Sequence, residues 1–167
     1  DASETFRVGG SKVVRQSAKD AVTIVGAGVT VFEALKAADQ LQKDGIAARV
    51  IDAYSVQPID ADTLRAAARA TRAVITVEDH YSAGGLGDAV AEALSPLGGV
   101  PITRLAVREI PRSGQPEELL DRYGICLDWS MGYPAARRKD MPRGTGLIMA
   151  DLDDWRALTG MAPVAPH

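Results

Sequence analysis

The sequence predicts an α/β domain built on a largely parallel sheet. Three observations carry this. Between Ala21 and Gly124, strand-like apolar runs alternate with helix-like ones, the pattern of successive βαβ units. Val31, Ala34, Leu35, Ala38 and Leu41 recur at helical spacing. Capping and turn residues fall at the boundaries: Gly45, Asp60 or Asp62, Pro116 and Gly124.

Taken in order, "SKVVRQ" reads as a short edge strand after a linker-like opening, and "AVTIVGAG" as a buried strand. Thr30 and Glu33 have the T-x-x-E spacing of a capping box, so a helix is expected from there until Gly45 closes it. "IAARVID" is the next strand, and "SVQPID" a turn into a helix over "ADTLRAAARA" capped by Asp60 or Asp62. "AVITVED" is the third core strand, "GLGDAVAEAL" a helix and "ITRLAV" a fourth strand. "QPEELLDRYG" is a short last helix with Pro116 in its first turn and Gly124 after its end. These readings divide the chain into a linker over 1–11, a domain over 12–125 and an irregular extension over 126–167. The extension is rich in Gly and Pro, with "LDDWRALT" as its one helical candidate.

Composition narrows the function. A chain of 167 residues makes one domain able to bury a core. A net charge of -3, with "ARRKDMPR" as a short basic cluster lacking interleaved aromatics, gives no footprint for nucleic acid. The uncharged stretch from Ala21 to Phe32 is too short for a membrane span, which needs roughly 20 residues. No secretory signal is visible in "DASETFRVGG", and the single cysteine, Cys126, suits a reducing compartment, so a cytoplasmic location is expected.

Three stretches could carry chemistry. In "VGAGVTVFEA", Gly26 and Gly28 lie between a strand and a helix, where backbone N-H groups can face an anion, and Asp52 ends the next strand as a ribose-binding acid would. A dinucleotide fingerprint wants a third glycine where this chain has Val31, so a tight turn is the plainer reading. In "TVEDHYSAGGLGDAV", Glu78, Asp79 and His80 are consecutive; on a strand they point to alternate faces and cannot converge on one metal ion. Neither "HYSAG" nor "PRSGQ" has the G-x-S-x-G spacing of a serine hydrolase. Asp79 and His80 fall at the carboxyl end of a parallel strand, where an interface or ligand role and a satisfied loop histidine are equal readings. In "REIPRSGQPEEL", Arg112 and Ser113 precede a helix and could hold a phosphate or carboxylate, with helix capping as the simpler alternative.

Together "VTIVGAGVTVFEALKAADQL", "VEDHYSAGGLGDAV" and "LAVREIPRSGQPEELLDRYGI" resemble the carboxyl-terminal domain of the transketolase family, in the family's order and spacing from Lys12 to Ile125. "VEDHY" and "PRSG" together are not normal in the related deoxyxylulose phosphate synthases or in the beta chains of 2-oxo acid decarboxylating enzymes. The resemblance implies a three-layer Rossmann-like domain with a mixed, mostly parallel sheet. It would be the third domain of a thiamine diphosphate enzyme of the pentose phosphate pathway, which moves a two-carbon ketol unit between sugar phosphates. In that family the cofactor and Mg²⁺ lie between the first two domains, from facing subunits of a dimer. The family's Gly-Asp-Gly cofactor motif has no match here, since Gly87 and Asp88 are followed by Ala89, and the family's activating glutamate is not carried over to Glu78. After Ile125 the chain departs from the family's closing helix.

The expectation is therefore a carboxyl-terminal domain or subunit that is inactive alone, with no catalytic, cofactor-binding or metal-binding residue of its own. It would pack against the cofactor-binding domains and help form the dimer, in an enzyme that is a homo-oligomer, and could hold an anion near Gly26, Gly28, Asp79, His80, Arg112 and Ser113. The alternative is a stand-alone small-ligand, anion or nucleotide-binding module with the same fold and no catalysis.

Overall fold

A computed structural model of the chain describes residues 3–110 and 112–123. The expected boundary at Gly124, the cysteine at 126 and the extension over 126–167 lie outside these residues. The strand-like runs become β1 (Lys12–Arg15), β2 (Val22–Gly26), β3 (Ala48–Asp52), β4 (Ala73–Tyr81) and β5 (Ile102–Val107). The helices are α1 (Val29–Lys43), α2 (Ala61–Ala70), α3 (Leu86–Leu94) and α4 (Pro116–Arg122), with a 3-10 turn at Ser95–Leu97.

The sheet order is β1-β3-β2-β4-β5. β2 pairs in parallel with both β3 and β4, and β4 with β5, while β1 lies antiparallel on the outer edge of β3. The parallel connections run outward from β2 in opposite directions: α1 leads to β3 on one side, and α2 and α3 lead to β4 and β5 on the other. Because such crossovers are right-handed, α1 must cover one face of the sheet, and α2 and α3 the other.

The two cores follow that division. On one face Ala34, Ala37, Ala38 and Leu41 of α1 meet Val22, Ile24, Val50, Ile75 and Val77, with Leu119, Leu120 and Tyr123 from α4 and its end closing the layer. On the other face Leu64, Ala67 and Ala68 of α2 and Val90, Ala93 and Leu94 of α3 pack on Val25, Ile51 and Val74. Every residue of β2 is buried, as a strand covered on both sides requires. Each such Val or Ile contributes about 1.5–3 kcal/mol of burial. The alanine stripe on α1 lets that helix lie close to the sheet.

The boundaries of α1 differ from the expectation at one end. Its amino end is Gly28, at φ 62, and Thr30 lies inside the first turn. The Thr30 hydroxyl accepts from the Ala27 N-H at 2.9 Å and donates to the Ala27 carbonyl, so it fastens the Gly26–Gly28 turn and forms no capping box. Glu33 is buried and pairs with Lys36 at 2.7 Å. The left-handed Gly28 lets the helix start earlier than the spacing of Thr30 and Glu33 suggests. At the other end Gly45, at φ 77, closes the helix as expected: the Ile46 N-H reaches the Leu41 carbonyl and the Gly45 N-H the Gln42 carbonyl, a Schellman end with Ile46 buried.

Of the two aspartates proposed to cap α2, Asp60 does so. Its Oδ1 accepts from the Thr63 N-H at 3.1 Å, and its Oδ2 from the hydroxyls of Thr63 and Ser11. Asp62 sits in the first turn. Burial pushes the Asp60 carboxyl upward, but the Thr63 and Ser11 donors outweigh it and hold the group below 3.8. Asp60→Ala is expected to lower the unfolding free energy by about 1 kcal/mol near neutral pH, read from urea denaturation. The stability that this carboxylate supplies is present above its ordinary pKa and lost as pH falls through its lower folded one, so the deficit of the variant should shrink in acid.

Candidate functional site

The parallel strands deliver their carboxyl ends to one edge: Gly26 from β2, Asp52 from β3, Tyr81 from β4 and Val107 from β5. α1 leaves β2 towards one face and α3 leaves β4 towards the other. The gap between them is the switch point at which sheets of this kind bind ligands. Gly26 is tight against α1, since a Cβ there would meet Thr30 Oγ1 at 3.0 Å.

Gly26 pairs with Val77, so the rest of β4 projects past the end of β2. Gly26, Gly28, Asp79 and His80 thus gather around neighbouring strand ends. Arg112 and Ser113 follow the edge strand β5, two strands from β2, which is roughly 10 Å at ordinary strand spacing. The Arg112 N-H donates to the Tyr123 hydroxyl at 2.8 Å, fastening that loop to the end of α4, and both side chains are exposed. A Cβ on Gly114 would lie 3.1 Å from Leu119, so the loop is packed onto its own helix.

The strand reaches further than "AVITVED" suggests, continuing through His80 to Tyr81. Between the pairs Val77 with Leu105 and Tyr81 with Val107 the register shifts, and Glu78, Asp79 and His80 occupy the irregularity. A bulge of this kind re-aims side chains. Asp79 and His80 emerge exposed, whereas Glu78 turns inward and is only 4% exposed. His80 Nδ1 lies 2.8 Å from the Tyr81 carbonyl, which makes that nitrogen the protonated one in the neutral ring.

Glu78 ends at the amino terminus of α3. Its Oε1 accepts from the Gly87 N-H at 3.2 Å, while Oε2 is buried with no hydrogen-bond partner among the described residues. Gly85, which begins α3, has no side chain to cap the helix, so the negative group comes from the neighbouring strand. Two glycines make the approach possible. A Cβ on Gly85 would fall 2.0 Å from Glu78 Oε2, and one on Gly87 would fall 2.4 Å from Arg104 Nε and 2.7 Å from Glu78 Oε1.

Arg104 of β5 completes the cluster. Its guanidinium pairs with Asp88 of α3 at 2.8 Å and donates to the Ser82 carbonyl, while the Gly84 N-H donates to Asp88 Oδ2 at 2.6 Å. The Ser82 N-H in turn bonds to the Val107 carbonyl. The loop from Ser82 to Gly85 is therefore held by charge at one end and by the sheet at the other.

Burial pushes the Glu78 carboxyl above its ordinary 4.5, against the opposing pull of the Gly87 and Leu86 N-H groups, Arg104 and His80. The Gly84 N-H, joined by Arg104, holds Asp88 below its ordinary value despite some desolvation. Asp52 is raised by burial and eased by Lys12, which faces it across the β1–β3 pair. Chemically, the cluster is a helix cap and a loop anchor. The sequence reading gave Arg104 and Asp88 no role at the site; a charged residue inside the apolar run "ITRLAV" is the signal that a polar partner was to be looked for.

The same contacts bear on cofactor binding. The Gly87 N-H is bonded to Glu78, and Asp88 is held by Arg104 and Gly84, so this Gly-Asp pair does not fit the role of a diphosphate and Mg²⁺ motif. Among the described residues no three His, Cys, Asp or Glu side chains are placed to hold a metal ion.

The fold and the sequence both have matches among known proteins. The family model "Transketolase, C-terminal domain" matches residues 11–128. Transketolase-like protein 2 of Mus musculus is 53% identical over 125 residues, covering 74% of this chain and 20% of the relative. Mus musculus transketolase is 50% identical over 127 residues, covering 75% of this chain and 20% of that protein. The chain thus spans about a fifth of the length of these relatives. Among solved structures, a split-gene transketolase described as an inactive beta4 tetramer superposes with a TM-score of 0.71 at 41% identity, over 76% of this chain and 41% of the other. Transketolase of Campylobacter jejuni shares the fold, with a TM-score of 0.52 at 19% identity over 71% of this chain and 17% of the other.

Two variants test the cluster. Gly87→Ala drives a methyl group into both Arg104 and Glu78 and should destabilise the chain by roughly 1–3 kcal/mol, read from urea denaturation. For Glu78→Gln the sign follows from the raised folded pKa. Stability linked to Glu78 is fully present below pH 4.5 and is lost as pH rises through the folded value, so wild type should lose stability relative to the variant over that interval. Unfolding midpoints of both proteins from pH 4 upward check this; a difference that stays constant or changes the other way contradicts it.

Proposed function

Because the chain belongs to the family of transketolase carboxyl-terminal domains, we propose that it is the packing and assembly module of an enzyme that transfers a two-carbon ketol unit between sugar phosphates. The observation that carries this reading is a match at about half identity across the domain, to relatives some five times its length. The polar cluster at the candidate site supports it, because Glu78, Arg104 and Asp88 are engaged in holding α3 and its loop.

In this reading thiamine diphosphate and Mg²⁺ are bound by the cofactor-binding domains or a partner subunit, and no step of the reaction runs through residues of this chain. The complete enzyme is a homo-oligomer, a dimer in its simplest form, working in the cytoplasm within the pentose phosphate pathway. No helix among the described residues is long and apolar enough to cross a membrane. The split-gene relative described as an inactive beta4 tetramer supports the view that a chain of this kind needs a partner for activity. Gly26 is a buried strand end, and Gly28, Asp79, His80, Arg112 and Ser113 are exposed positions; in this reading none of the six has a catalytic role.

The test is reconstitution. The purified chain, given thiamine diphosphate, Mg²⁺ and a ketose phosphate donor, should show no two-carbon transfer above buffer. Co-expressed with the cofactor-binding remainder of a related transketolase, it should co-purify and support turnover. Turnover by the chain alone, or failure to associate, would contradict the proposal.

A further inference from the structure

The exposed apolar side chains are distributed unevenly. Among the described residues, Phe6, Val8, Val13, Val29, Phe32, Tyr81 and Ile110 are the large hydrophobics left in water. Val13 lies on the edge strand β1. The other six lie in segments at the carboxyl ends of the parallel strands. Val29 and Phe32 occupy the first turn of α1, directly after β2, while Tyr81 ends β4 and Ile110 follows β5. Phe6 and Val8 precede β1, whose first residue, Lys12, pairs with Asp52 at the end of β3, which brings them to the same edge.

The opposite edge is different. Its exposed residues include Lys19, Lys43, Asp44, Arg69 and Arg72, and no large hydrophobic is exposed there among the described residues. Scattered single hydrophobics are ordinary on a protein surface. Six spread along one edge of a five-stranded sheet, with Phe32 at 66% and Ile110 at 86% exposure, form the kind of surface that another protein covers. Asp79, His80, Arg108, Glu109 and Arg112 are exposed among them and supply a polar rim.

We infer that the carboxyl edge of the sheet, centred on Val29, Phe32, Tyr81 and Ile110, is the face that meets the cofactor-binding part of the enzyme. The inference rests on the proposed function and adds the location of the contact. Two observations point to this occupant, with a second copy of the chain as the alternative that the experiment separates. About four-fifths of the length of the relatives lies outside the region that this chain matches, so the domain has a large neighbour to meet. The segment leading into the domain also runs along this edge: Phe6 packs edge-to-face on Tyr54 at 4.9 Å, and the Gly9 N-H bonds to Ser55 Oγ at 2.8 Å. A domain joined on the amino-terminal side is thereby delivered to the carboxyl edge.

The experiment uses the full chain and the co-expressed cofactor-binding remainder of a related transketolase, with association measured by sedimentation. Phe32→Glu and Ile110→Glu place a charge on exposed positions outside the core, and Lys19→Glu is the control on the far edge; circular dichroism verifies that each variant folds. The expected result is that Phe32→Glu and Ile110→Glu each weaken association about tenfold or more while Lys19→Glu leaves it unchanged. Weakening by Lys19→Glu alone would overturn the location and leave the proposed function standing. If the carboxyl-edge variants abolish self-association of the chain but not its binding to the remainder, the occupant is a second copy and the inference is wrong. Failure of the wild-type chain to bind the remainder at all would remove the proposed function and this inference together.

Discussion

β2 has no side facing water, and much of the architecture follows from that. A parallel strand flanked by parallel neighbours leaves its residues to be covered on both faces, and only helices returning over the sheet can do it. The chain leaves β2 in one direction through α1 and in the other through α2 and α3, which builds the two cores. The same geometry sends the carboxyl ends of the parallel strands to a single edge. The candidate crevice, the bulged end of β4 and most of the exposed apolar side chains all lie there because the connections allow no other place.

A second constraint is local. A helix that begins at a glycine supplies no side chain for its free N-H groups, and α3 begins at Gly85. The bulge in β4 turns Glu78 inward to meet them, Arg104 brings the compensating charge, and Gly85 and Gly87 clear the space. The neighbouring residues of the bulge, Asp79 and His80, are turned outward as a consequence. The acidic residue in "VEDHY" and the glycines in "GGLG" are thus two halves of one contact between strand and helix.

The sequence made the layers legible because their signals are local. Ala34, Ala38 and Leu41 repeat at helical period, Asp60 is a good cap in front of α2, and Gly45 ends α1 where its backbone requires a positive φ. The capping box at Thr30 and Glu33 misled because spacing alone does not reveal that Gly28 already starts the helix, leaving Thr30 free to hold Ala27. The role of Glu78 was hidden for a different reason. Its partners, Gly87 and Arg104, stand on other elements, and the residue count along β4 gives no sign of a bulge. Strict alternation would place Glu78 and His80 on one face and Asp79 on the other; the register shift of β4 against β5 instead buries Glu78 and leaves Asp79 and His80 exposed.

In this account the polar cluster of Glu78, Arg104 and Asp88 holds the domain's own loop in place, and the carboxyl edge of the sheet is proposed to face a neighbour. The most direct measurement of that division is steady-state turnover of the assembled transketolase carrying Asp79→Asn and His80→Ala, with sedimentation confirming intact assembly. The account predicts a kcat within about threefold of wild type, because neither side chain handles a proton of the reaction. A loss of roughly a hundredfold or more in an intact assembly, the scale of a missing general acid or base, would contradict it and place chemistry in this domain.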